Sequence, residues 1–75
     1  MDKALAKKHF DKALLTYFDT NNYRRAINEA RAAIEHCPTW PLPHWLLAQI
    51  HLYGKPIDRE AALREYREAV RKGPR

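Results

Sequence analysis

At 75 residues, 45% of them hydrophobic and with a formal net charge of +5, the chain has the length of one small domain and a globular rather than a disordered composition. Its single cysteine, Cys37, excludes an intrachain disulfide, and no stretch reaches the roughly 18 consecutive apolar residues of a membrane span. The charged start MDKALAKKHF lacks the apolar core of a secretory signal, so a cytoplasmic setting without a membrane partner is the expectation.

Runs of Val, Ile and Thr are absent, and Ala, Leu, Arg and Glu dominate, which points to an all-α chain. Asp2 suits the N-cap of a first helix reaching about Asp19. Ala6, Phe10, Ala13, Leu14 and Tyr17 mark one face of it, and Leu5, Leu15 and Phe18 a second, partial one. Lys3, Lys7, Lys8 and Lys12 fill much of the rest as a solvated face. Thr20-Asn21-Asn22 reads as a turn, because asparagine tolerates left-handed backbone. A second helix then runs to about His36, with Arg31 and Glu35 spaced for an ion pair. Three prolines stiffen the linker Cys37–Pro43; Trp40 within it either seals the end of a hairpin or is an exposed contact. The third helix, about Leu42 to Tyr53, is apolar almost all round, so it is central to a core or lends a face to a partner. Gly54-Lys55-Pro56 is the next turn. Asp58 is placed to cap a fourth helix, which ends near Lys72 before Gly73 and Pro74.

The second and fourth helices are two versions of one text. Tyr23–Pro38 (YRRAINEARAAIEHCP) returns 36 residues later as Arg59–Pro74 (REAALREYREAVRKGP). Ala26 falls on Ala62, Ile27 on Leu63, Ala30 on Tyr66, Ala33 on Ala69, Ile34 on Val70 and Pro38 on Pro74. The matched positions form one helical face, and their alanines let a neighbouring helix come close. The pattern resembles the tetratricopeptide repeat (TPR), a helix–turn–helix unit. One unit reads Phe10-x2-Ala13-Leu14-x2-Tyr17, then Ala26-x3-Ala30 and Pro38. The other reads His44-x2-Leu47-Ala48-x2-His51, then Ala62-x3-Tyr66 and Pro74. Leu14, Ala13 and His51 depart from the family pattern, and the 36-residue period is similar to that of Sel1-like repeats. The resemblance implies two stacked antiparallel hairpins, about 5–38 and 41–74, forming a fragment of a helical solenoid.

No catalytic set is evident. The chain has no serine and no glycine-rich loop, and its carboxylates stand mostly beside arginines at Glu60–Arg64, Arg64–Glu68 and Glu68–Lys72 spacing. His44 and His51 are seven apart, which is poor metal-ligand spacing, and the Cys37-Pro38 pair is a two-residue signal that chance supplies often. Neither an enzyme nor a metal or other cofactor is expected.

The expected function is protein binding. In the TPR family the first helix of each unit lines a concave groove. Carried over, those positions are Lys8, Asp11, Lys12, Leu15, Phe18 and Asp19, then Leu42, Trp45, Leu46, Gln49, Leu52 and Tyr53. The lysine and asparagines with which some members grip a C-terminal carboxylate are replaced by Asp11, Leu15 and Leu46. An apolar groove of this kind suits a peptide, an amphipathic helix or a second copy of the chain. Repeat arrays generally need about three units, so Leu63, Tyr66 and Val70 on the fourth helix are candidates for self-association, or for cover by the rest of a longer protein. Two alternatives stand beside this. Arg64, Arg67 and Arg71 form a basic stripe that RNA could use, against interleaved Glu60, Glu65 and Glu68. An engineered mini-repeat scaffold is the other, against which the diverged copies and free cysteine speak.

Overall fold

The computed structural model describes residues 1–54 and 56–73. The expectations placed on Lys55, Pro74 and Arg75 lie outside the described residues. The chain is all-α, with α1 at Lys3–Leu15, α2 at Tyr23–His36, α3 at Leu42–Tyr53 and α4 at Arg59–Lys72. Each helix packs chiefly on its neighbours in sequence, α1 on α2, α2 on α3 and α3 on α4. Both hairpins are antiparallel. The Asp2 amide donates to the His36 carbonyl at 2.7 Å, tying the start of α1 to the end of α2, and Gly73 lies against Pro41, bringing the end of α4 to the start of α3.

Local chemistry sets the helix ends. The Asp2, Asn22 and Asp58 side chains accept from the amides of Leu5, Arg25 and Ala61 at 3.0, 3.2 and 3.0 Å, satisfying donors that the helix itself leaves free. α3 has no such cap and starts on prolines, Pro41 before it and Pro43 in its first turn. The end of α1 departs from the expected regular helix. Thr16–Thr20 forms one π-helical turn, in which the Thr20 hydroxyl donates to the Thr16 carbonyl at 2.8 Å. Asn21 then takes the left-handed conformation, φ 56°, and reverses the chain.

The hairpin seams are made of alanine. Ala6 and Ala13 of α1 and Ala26, Ala30 and Ala33 of α2 are wholly buried, as are Ala48 of α3 and Ala69 of α4, with Ala61 and Ala62 nearly so. Small side chains let the helix axes approach but bury little apolar area each. The larger share of the core falls to Leu47, Ile50 and Leu46 of α3, around which Phe10, Leu14, Tyr17, Tyr23, Ile27 and Ile34 pack. Trp40 takes the sealing role, its ring 5.1 Å from Phe10. Gly54 is required by close approach. A Cβ there would stand 2.5 Å from the Ile50 carbonyl and 3.2 Å from the Tyr23 ring. Gly54→Ala is therefore expected to cost about 2 kcal/mol, read as a lower urea midpoint at an unchanged slope.

A polar device recurs in both hairpins. His9 of α1 meets Glu29 of α2, Nδ1 to Oε1 at 2.6 Å, and His44 of α3 meets Glu65 of α4 through the same atoms at the same distance. Glu29 and Glu65 are 36 residues apart, the repeat offset. The third member of each group keeps that offset too. His36 stacks on His9 with centroids 5.3 Å apart, and Lys72 stands 2.8 Å from Nε2 of His44. A lysine ammonium can only donate, so Nε2 of His44 accepts and the ring proton sits on Nδ1, donating to Glu65.

The expected helix-surface pairs are largely replaced. Glu68 turns to Arg71 rather than to Arg64 or Lys72, and Lys72 turns to His44. Among the described residues neither Arg31–Glu35 nor Glu60–Arg64 comes within ion-pair distance; Lys7–Asp11 does, at 2.9 Å.

Candidate interaction surfaces

The broadest apolar opening that contains expected site residues lies between the hairpins. Phe10 and Leu14 of α1, Leu42, Trp45, Leu46 and Gln49 of α3 and Tyr66 of α4 line a trough of about 400 Å³. Gln49 is its one amide; the other polar side-chain groups are the Tyr66 phenol and the Trp45 indole N–H. The Trp45 ring stands edge-on to Tyr66, centroids 5.2 Å apart, so the two aromatics form one wall. Tyr66 thus belongs to the trough as well as to the hollow it shares with Val70 on α4.

The α1 wall of this trough is Phe10 and Leu14, two positions of the repeat motif. The carried-over α1 positions stand elsewhere. Lys8, Lys12, Leu15 and Phe18 are all exposed and do not line the trough. Leu15 and Phe18 keep 61% and 68% of their surface in solvent, and Phe18 rests edge-on against Tyr17. On α3, Trp45 and Gln49 come together with Leu42 and Leu46, while Leu52 is half-buried and Tyr53 exposed, both off the trough. Away from the trough, Tyr17 packs against Tyr23, ring centroids 5.8 Å apart. Burial pushes the Tyr17 phenol above its ordinary range, and the neighbouring phenols of Tyr23 and Tyr53 add to the shift.

The outer face of α4 presents Leu63 and Val70, each about half in solvent at 50% and 51%. Tyr66 and Val70 with Arg67 and Arg71 line a shallow hollow of about 340 Å³. Arg71 donates twice to Glu68 and, first through that hydrogen bond and then by its charge, holds the Glu68 carboxyl below the usual carboxylate range. Water screens this exposed pair. Its small contribution is present above the unfolded carboxylate's pKa and fades as pH falls through the lowered one.

A third hollow, about 390 Å³, opens beside the linker between Lys3, Lys7, Cys37, Thr39, Trp40 and Pro41. Among the described residues no three His, Cys, Asp or Glu side chains are grouped to hold a metal ion, and no helix is long and apolar enough to cross a membrane.

No protein-family model matches this chain, and no curated protein or solved structure matches it. The likeness to TPR and Sel1-like units therefore rests on the motif residues quoted above. The His–Glu bridges were missed by reading the apolar pairs alone. Their signal was present in the glutamates at the repeat offset, each preceded by a histidine 20 or 21 residues earlier.

Proposed function

We propose that this chain is a non-enzymatic protein-interaction module, TPR-like in its repeated hairpins, that takes an amphipathic helix or apolar peptide in the trough between α1 and α3. One observation carries the reading: Trp45, Leu42, Leu46, Phe10, Leu14 and Tyr66 leave an open apolar trough with a single amide, Gln49, to orient a ligand. Sites of this make-up, apolar walls with few polar groups, are what helix-in-groove recognition uses.

The test is selection from a displayed library of amphipathic peptides about four turns long. Enriched peptides are expected to shift the amide resonances of Leu42, Trp45 and Gln49, and to lose at least about tenfold in affinity against Trp45→Ala. Trp45 is only half-buried, so helicity should survive the substitution. If Trp45→Ala unfolds the chain, Trp45 belongs to the intramolecular core. If enriched peptides map outside the trough, the trough is not the binding site.

A further inference from the structure

The geometry points to the outer face of α4 as a second docking surface, whose occupant is a partner's amphipathic helix with an apolar ridge edged by carboxylates. The chain carries the template for this. Ile27 and Ile34 of α2 are half-buried against the core to which α3 gives Leu46, Leu47 and Ile50. Beside them Arg24 and Arg31 share a cleft with Ile50, His51 and the carboxylate residue Asp58. An isoleucine stripe edged by arginines on α2 is thus met by an apolar helix, with Asp58, the N-cap of α4, lining the same cleft.

Thirty-six residues on, Leu63 and Val70 repeat Ile27 and Ile34, and Arg67 repeats Arg31. The α4 copy has no helix over it among the described residues. At 100° per residue, Arg67, Arg71 and Arg64 follow one another along one edge of the Leu63–Val70 stripe, with Glu60 between them. Two of the other α4 carboxylates are engaged internally, Glu65 by His44 and Glu68 by Arg71. That leaves Glu60, which is not within ion-pair distance of Arg64, as the remaining α4 carboxylate beside the arginines of this edge. Two copies of α4 would set these arginines against one another, in a chain already carrying +5, so charge disfavours a second copy and favours an acidic partner. Tyr66 replaces Ala30 in this copy and leans on Trp45, so the incoming helix rests on Leu63 and Val70 rather than sinking to the α4 backbone.

The intact chain is titrated with two labelled synthetic helices. They share a leucine ridge and differ only in glutamate or lysine along its edges. The glutamate-edged helix should bind at least about tenfold tighter than the lysine-edged one, with an advantage that shrinks as salt rises. Leu63→Asp with Val70→Asp should remove that binding, and Arg67→Glu with Arg71→Glu should reverse the preference. Leu63 and Val70 are half-exposed, and retained helicity is checked by circular dichroism. The arginine reversal tests the face without touching its apolar stripe. Equal binding of the two helices overturns the proposal, as does binding that survives Leu63→Asp with Val70→Asp. A dimer of the unliganded chain broken by Leu63→Asp would instead give the face to a second copy. Binding of a mixed RNA pool, weakened by Arg67→Glu and not by Leu63→Asp, would give the arginines to nucleic acid.

Discussion

Leu47→Ala is expected to cost about 3 kcal/mol of folding free energy. Leu47 is 1% exposed, on the helix that both α2 and α4 pack against, in a structure whose hairpin seams are largely alanine. Truncation removes the transfer energy of the lost carbons and leaves a cavity that neighbouring alanines cannot fill. A domain of this length has about 4–11 kcal/mol in total, so the variant loses a large part of its stability. Urea unfolding followed by far-ultraviolet circular dichroism is the check. A change below about 1 kcal/mol would show that α3 repacks freely and is not the centre of the core.

His44→Ala comes next, at about 2 kcal/mol, because it strips the partner from a half-buried Glu65 and sets Lys72 adrift from the Nε2 it donates to. The pair can be isolated by a double-mutant cycle with Glu65→Gln, where a coupling of about 1–2 kcal/mol is expected. His9 and Glu29 make the same contact in the first hairpin, but the His9 side chain is 26% exposed against 9% for His44. Its cycle should give the smaller coupling, since water screens it more. Equal couplings would show that burial does not set the strength of these bridges.

The helix boundaries were legible because they are local events. Asp2 and Asp58 each cap the helix that starts beside them, and the Asn21-Asn22 turn reverses the chain at Asn21 and, beyond its reading as a turn, caps α2 through Asn22. The alanine seams were legible because each copy of the repeat vouches for the other: Ala26 with Ala62, and Ala33 with Ala69, are buried in both hairpins. The wall that α1 gives the trough was not. α1 is apolar on two sides, and carrying over a family's groove positions chose Leu15 and Phe18, whereas packing turned Phe10 and Leu14 toward α3. The π-turn was hidden as well, since its cause is the Thr20 hydroxyl bonding back to Thr16 rather than any change in apolar spacing. The place of Tyr66 needed the fold. It was read with Leu63 and Val70 as part of the outer face of α4, but its ring also packs edge-on against Trp45 in the trough.

Cys37 is 2% exposed, at the junction where α2 gives way to the linker whose Trp40 rests on Phe10. Although a hollow opens beside it, a thiol this buried is expected to react with a colorimetric disulfide reagent chiefly when the linker lifts. The chain therefore carries a built-in clock for its own breathing: with reagent in excess, the labelling rate counts how often the junction opens, and it does so at one atom, without an introduced probe.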